Sequence, residues 1–390
     1  MSARFSILIM SCHWQGALAC LQSFGQRGHE ITLVAWDKSG TKLHGQSDYV
    51  SDIVYHAPAA TPEEDVPWLL ELIAARGIDL VVPISDHDAS VVALAAKAAE
   101  PGSPQATALF APSPESLALA RDRTATVALC ERLGIATPRS QTVEAEALRD
   151  VVPGWGFPLF LKVDGVAGLG VSALRNEADF ERFLASGPTG TVQIQEAVDG
   201  DFVGVTGVCR NGEVLSRFGF CTDYEFSFAG TPPYALRDEN AVIDDYLARI
   251  AGALHWTGGI DLDCLARPDG TLVVLEINPR ISGTVNFALA CGRDVPAGYL
   301  ALRQGAPVAS IFEDTGASLF ASLEQETRFR VRGGKEARRR ARVLRAAHVV
   351  ADNGYPQDRG YARALWRARM MIRLDGLFDP IFDRVRRVLP

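Results

Sequence analysis

The stretch from Gly258 to Thr284 constrains this chain more than any other. Two apolar runs flank Pro268-Asp269-Gly270-Thr271, residues that favour a tight hairpin turn. A two-residue Asp269-Gly270 loop puts Asp263 directly opposite Glu276. It also puts Leu272, Val274, Glu276, Asn278 and Arg280 on one face of the second strand, with Leu265 and Asp263 facing them from the first. Two opposed carboxylates repel and should destabilise a strand pair. A cation held between them reverses that sign, and hard oxygen donors of this kind suit Mg²⁺. Asn278 adds an amide oxygen one step along, and Arg280 follows as a permanently charged fork for phosphate or carboxylate. A solvated acidic face is the plainer alternative. The confinement of Glu276, Asn278 and Arg280 to a single polar face argues against it. A bulge would shift the register.

The rest of the chain sets the context. Its 390 residues suggest two to three domains, and 47% hydrophobic with 22% charged residues is a folded composition, not a disordered one. No apolar run reaches the roughly 18 residues of a membrane span, and Met1–Met10 lacks a secretory h-region. The 7 Cys are scattered without a C-x-x-C pair and read as reduced thiols, so a cytoplasmic location is expected. The net charge of -8 is uneven. From Arg328 onward 17 Lys and Arg stand against 6 Asp and Glu, a net of +11 that leaves -19 on the preceding residues. The expected consequence is a basic tail docked on an acidic body. Contact of the tail with an anionic surface is the alternative.

Apolar runs at 5–10, 31–36 and 80–84 alternate with helix-compatible stretches, which predicts a doubly wound, mostly parallel sheet over about 1–112. No G-x-G-x-x-G follows the first run, so a nicotinamide site of the usual kind is not expected. His13 and Trp14 end that run and could line a substrate side or simply pack there. Helices are expected over 115–133, 177–184 and 240–254, and strands over 157–162, 192–198, 202–210 and 214–221. The stretch 223–237 reads as a loop, and the Arg-rich tail as helices with one short strand near 347–350.

Lys162 closes an apolar strand and precedes a loop with Gly165, Gly168 and Gly170. Backbone N–H groups of such a loop can wrap a phosphate, and a lysine in that place calls for an anion. Gln195 and Glu196 lie at the next strand end, before Gly200. They could read an adenine and ribose, or could be ordinary polar residues at a strand end.

Taken in order, these segments resemble the ATP-grasp superfamily of ligases, of the carboxylate–amine type, over roughly residues 5–310. The resemblance rests on Arg121-Asp122-Arg123 with Gly134-Ile135 and Pro138, Phe157-Pro158 with Lys162, the 165–171 loop, and Gln195-Glu196 with Gly200. Its most specific part is Glu276-Ile277-Asn278-Pro279-Arg280 with Ser282-Gly283-Thr284. It implies an α/β fold, α+β in the lid. The implied segments are a Rossmann-like pre-ATP-grasp domain (1–113), a lid region (114–197), a domain binding metal and ATP (198–312) and a basic C-terminal extension (313–390).

The resemblance also implies roles. Lys162 would hold the α- and β-phosphates, with Gly168 and Gly170 in the phosphate loop. Gln195, Glu196 and Val198 would form the adenine-reading hinge, and Asp201 would contact the ribose. Asp263, Glu276 and Asn278 would bind Mg²⁺, with Mn²⁺ as a substitute, and Arg280 would grip an acyl phosphate. Arg123 stands where the family usually has Lys, which keeps the charge and changes the geometry. Arg217, Tyr224, Ser282 and Gly283 are candidates for the substrate side, and the aromatics Phe226, Phe228 and Tyr234 near Tyr224 suggest a partly apolar substrate.

The reaction implied is attack of a carboxylate on the γ-phosphate of ATP, followed by displacement of phosphate by an amine. It yields an amide with ADP and phosphate. A kinase-like or purely nucleotide-binding protein on the same fold is the alternative. The expected partners are small-molecule carboxylates and amines. No nucleic acid is expected, and a homodimer is left open.

Overall fold

The computed structural model describes residues 4–39, 41–163, 170–222 and 233–386, with side chains described as far as Leu374. Strands β1 (Ser6–Ile9), β2 (Glu30–Ala35), β3 (Val50–Tyr55) and β4 (Leu80–Val82) form a parallel sheet in the order β3-β2-β1-β4. The buried runs Ile7-Leu8-Ile9 and Leu80-Val81-Val82 are apolar on both faces because helices Gln15–Gln26, Pro62–Arg76 and Asp86–Ala98 cover the sheet. The chain runs outward from β1 through β2 to β3 and then crosses to β4 on the other side of β1, a reversal of strand order of the kind that opens a crevice beyond the strands' carboxyl ends.

The helix expected over 115–133 is two helices, Pro114–Arg121 and Arg123–Arg132. Asp122 divides them: its carboxylate accepts the Ala125 N–H at 2.9 Å and starts the second helix as an N-cap.

A second, antiparallel sheet has the order β5-β8-β6-β7 and comprises β5 (Ser140–Glu144), β6 (Leu159–Val163), β7 (Val171–Leu174) and β8 (Thr191–Glu196). Leu159, Leu161, Val192 and Ile194 pack on one side with Phe180 of helix Glu177–Ala185. The period of two sends Lys162, Gln193 and Gln195 to the other side, where Lys162 pairs with Gln193 in register.

The third sheet runs β13-β12-β9-β10-β11-β14-β15. Its strands are β9 (Asp201–Arg210), β10 (Glu213–Thr222), β11 (Tyr234–Arg237), β12 (Gly258–Ala266), β13 (Leu272–Asn278), β14 (Leu319–Ala321) and β15 (Val350–Asp352). Ile260, Leu262 and Cys264 face a core shared with Leu247 and Ile250 of helix Ala241–Ala253. Phe218, Phe220 and Ala235 belong to a separate core. The stretch expected to be loop thus ends in a strand, β11. Residues 223–232, and with them Tyr224, Phe226 and Phe228, lie outside the described residues.

The basic tail supplies β14's parallel partner β15, so it extends the central sheet. Its arginines pair with acids that precede it: Arg345 and Arg330 with Glu326, and Arg328 with Glu324. Contact with the segment that builds the first sheet is made by Asp358, fully buried, which accepts from Gln22 Nε2 (2.7 Å), the Asp48 N–H (2.9 Å) and the Ser47 hydroxyl. The last helix, Arg359–Arg386, continues through Gly376 and Pro380. A helical proline removes one hydrogen bond and can kink a helix without ending it. Among the described residues, no helix is long and apolar enough to cross a membrane.

Candidate active site

The hairpin carries the expected pair of carboxylates by a route different from the expected one. The Arg267 N–H bonds to the Thr271 carbonyl at 2.9 Å, so the loop is Pro268-Asp269-Gly270, three residues long. Gly270 sits at φ +85°, the left-handed position that closes such loops. Near the turn Cys264 therefore pairs with Val274. A bulge at Leu275 then inserts one residue into β13, and beyond it Asp263 faces Glu276 and Asp261 faces Asn278. The longer loop and the bulge cancel. The bulge also carries Leu272 and Val274 to the opposite face, where they join Leu262 and Cys264 in the core instead of sharing a side with Glu276.

Asp261 was not singled out in the sequence, although it stands two residues from Asp263 and therefore on the same face. It is 2% exposed, and its Oδ1 is buried without a hydrogen-bond partner. Asn278 Nδ2 donates to Asp261 Oδ2 at 3.2 Å and to Asp263 Oδ2 at 3.1 Å. Burial pushes the Asp261 carboxyl up to about 7, against the pull of Arg280. Burial, then the charges of Asp261 and Glu276, raise Asp263 well above the usual carboxylate range. Three crowded acids and an orphaned oxygen form a donor set that fits a hard divalent cation. Among the described residues, no group of three or more His, Cys, Asp or Glu side chains is placed to hold a metal ion by itself. Mg²⁺ does not require one, since it keeps water and phosphate oxygens in its shell.

Lys162 is 7% exposed. Burial pushes its ammonium pKa down, Glu276 and Asp263 pull it back up, and Arg123 adds to the lowering. The lysine of the second sheet thus lies within electrostatic reach of the acids of the third. Arg123 Nη1 donates to the Val163 carbonyl at 3.3 Å, beside Lys162. The Gly170 carbonyl accepts the Val163 N–H at 2.7 Å and closes the mouth of the glycine loop, whose Gly168 lies outside the described residues. Gln193 shares the face of Lys162, is 3% exposed, and leaves Oε1 without a partner. Its spacing from Gln195 was the available signal.

At the hinge, Gln195 Nε2 donates to Ser140 Oγ at 3.3 Å. Glu196 Oε1 accepts from the Arg139 N–H at 3.0 Å and from Arg267 Nη2 at 2.8 Å, which ties the hinge to the hairpin turn. A cavity of about 370 Å³ lies there, lined by Glu196, Val198 and Arg267 among others, and it does not include Lys162 or the acids. Asp201 is exposed at the start of β9, opposite Ala266.

Arg280 Nε pairs with Asp86 Oδ1 at 3.2 Å, from the first turn of helix Asp86–Ala98. The Ser282 N–H donates to Thr206 Oγ1 at 3.0 Å, and the Gly283 carbonyl accepts from Asn286 Nδ2 at 3.1 Å, so the loop after Arg280 is pinned on the sheet. Arg217 is not brought to this side. It pairs with Gly207, which pairs with Ile260, a position on the face opposite Asp261. Its Nη1 meets Asp244 Oδ1 at 2.5 Å, beside a separate cavity of about 700 Å³. Arg237 takes the acidic side instead. The row Glu276–Asp263–Gly204–Phe220 ends on it, and its guanidinium is held by Glu239 and Asp314.

No protein-family model matches the chain. Solved structures do. An N5-carboxyaminoimidazole ribonucleotide synthetase in its ADP complex is similar at a TM-score of 0.63 and 16% identity, over 80% of this chain and 79% of that one. An L-amino acid ligase from Bacillus licheniformis gives 0.57 and 16%, over 78% and 74%. The biotin carboxylase domain of 2-oxoglutarate carboxylase from Hydrogenobacter thermophilus, with MgADP and bicarbonate, gives 0.61 and 13%, over 80% and 72%. At such identities the likeness is one of fold. The fold is the ATP-grasp fold that the resemblance implied.

Proposed function

We propose that this chain is an ATP-dependent ligase that activates a carboxylate as an acyl phosphate and joins it to an amine, releasing ADP and phosphate. One observation carries the reading: a buried lysine from one sheet and Arg280 both lie within electrostatic reach of the opposed carboxylates of another sheet. The fold neighbours support it, since one is an amino acid ligase and two were solved with ADP or MgADP.

The charges assign the work. A carboxylate attacking the γ-phosphate brings two anions together, so cationic groups must meet the charge that develops. Lys162 binds and orients the phosphates, and Arg280 offers its fork to the transferred phosphoryl group or the acyl phosphate. Asp263, Glu276 and Asn278 would hold Mg²⁺, which would supply charge neutralisation at the phosphates. Asp261 and Asp263 lose their mutual repulsion once cationic charge stands among them. The Gln195–Val198 hinge would seat the adenine, with Arg123 close to the phosphate end. The loop containing Gly168 and Gly170 would exclude water, which acyl phosphates do not survive.

The test is a screen of amino acids and small carboxylates, singly and in pairs with amines, for ADP and phosphate release with Mg²⁺. The ligase reading expects release that requires both a carboxylate and an amine, and an amide product. A stable phosphorylated product formed without amine identifies a kinase instead. ATP binding with no turnover across the screen identifies a nucleotide-binding protein.

A further inference from the structure

The carboxyl ends of the first sheet carry a strip of aromatic rings that the reaction above leaves unused. Trp14 follows β1 and Trp36 follows β2, and the two are 44% and 40% exposed. His13 lies between them, its ring centroid 4.0 Å from Trp36 in an edge-on contact and 5.6 Å from Trp14. Its Nε2 is buried and has no hydrogen-bond partner. Two indoles displayed to water beside each other are unusual, and the turn that displays them is tightly held. Ser11 adopts φ +46°, a region that residues other than glycine seldom occupy. Its hydroxyl donates to the buried Asp88 at 2.9 Å. The Cys12 N–H bonds to the Val34 carbonyl at 2.9 Å, and the Cys12 carbonyl is bonded to His44 Nδ1.

The same turn leads directly to the reaction centre. A Cβ built at Gly16 would touch the carbonyl oxygens of Ser282 at 3.6 Å and Ile281 at 3.7 Å, and the Gln15 carbonyl accepts from Asn286 Nδ2 at 2.8 Å. The strip therefore stands beside the loop that follows Arg280, at the crevice where open α/β sheets bind ligands.

We infer that Trp14, His13 and Trp36 form the subsite for a flat apolar side group, an aromatic ring, on the carboxylate substrate. The word substrate rests on the ligase reading; the affinity of the strip for a planar ring does not. Exposed indole faces and an imidazole edge stack on planar groups. The neighbouring Asp37 carboxylate accepts the Ser39 N–H at 2.7 Å and the Ser39 hydroxyl. Three rings are far less than the roughly 1,200 Å² that a stable protein partner covers.

The experiment uses the full chain with Mg²⁺ and a non-hydrolysable ATP analogue, and measures binding of 3-phenylpropanoate, propanoate and 3-phenylpropan-1-ol by calorimetry. The expected result is that 3-phenylpropanoate binds at least tenfold tighter than propanoate. Trp14→Ala and Trp36→Ala should abolish that preference, and Trp→Phe at either position should keep most of it. Thermal unfolding checks the fold, and if an alanine variant does not fold, Trp14→Leu and Trp36→Leu carry the test, since leucine keeps apolar volume without a flat face. An aromatic preference that survives in the alanine or leucine variants, or no preference at all in the unaltered protein, overturns the subsite even if carboxylate-dependent ADP release is found. Equal binding of the alcohol and the acid, lost in the variants, supports the strip and counts against the carboxylate reading.

Discussion

Arg280 Nε lies 3.2 Å from Asp86 Oδ1, so the arginine just after β13 is steered by the first turn of a helix that covers the first sheet. Asp86→Asn keeps the shape and removes the charge. It should lower kcat on the order of ten- to hundredfold, the scale of small misplacements of a reacting group. ATP-analogue affinity should stay within about twofold, because Asp86 is expected to act only through Arg280. Steady-state ADP release and calorimetry check the two halves.

Glu276→Gln should abolish turnover and leave the fold intact. The amide preserves the side chain's size and loses the charge opposite Asp263. ADP release over a Mg²⁺ titration is the measurement, and full activity at saturating Mg²⁺ would remove Glu276 from the assigned metal set.

Lys162→Ala should raise the ATP requirement on the order of tenfold, as expected for loss of one charge-assisted contact of about 1.5–3 kcal/mol. The requirement for the amine should move much less. Unchanged ATP-analogue binding by calorimetry would take Lys162 out of the phosphate site.

The acids also predict a pH dependence. Burial raises Asp261 to about 7 and also raises Asp263 well above its ordinary value. A carboxyl group raised in the folded state binds more protons there than in the unfolded chain. Its stabilising contribution is full below the unfolded pKa of about 3.9 and is lost as pH rises through the folded value. The cation-free protein should therefore lose thermal stability between about pH 5 and about pH 8. Mg²⁺ should recover much of it at the upper end, and Asp261→Asn should flatten the dependence. Melting temperatures across pH, with Mg²⁺ and with EDTA, decide it.

Asp358→Ala should destabilise the protein by about 3 kcal/mol, because buried donors on Gln22, Ser47 and the Asp48 backbone lose their acceptor together. Urea unfolding measures this. A loss below about 0.5 kcal/mol, the ordinary surface value, would mean that the tail is not anchored there.

What sequence alone determined here is what local periodicity and turn chemistry can carry. Pro268-Asp269-Gly270 marked a hairpin, the period of two put Glu276 and Asn278 on one face, and Lys162 closed an apolar strand before glycines. Asp263 met Glu276 as expected only because two departures, a longer loop and a bulge at Leu275, offset each other. The same bulge turned Val274 away, which no strict alternation could foresee. Arg217 went to the wrong face for its expected role, since facing depends on which strand a residue pairs with and not on its own neighbours. Asp86 reaches Arg280 across 194 residues of chain, and Lys162 and Glu276 come from different sheets. Tertiary packing decided these meetings, because Coulomb attraction and desolvation act through space and depend on distances that spacing along a chain does not encode.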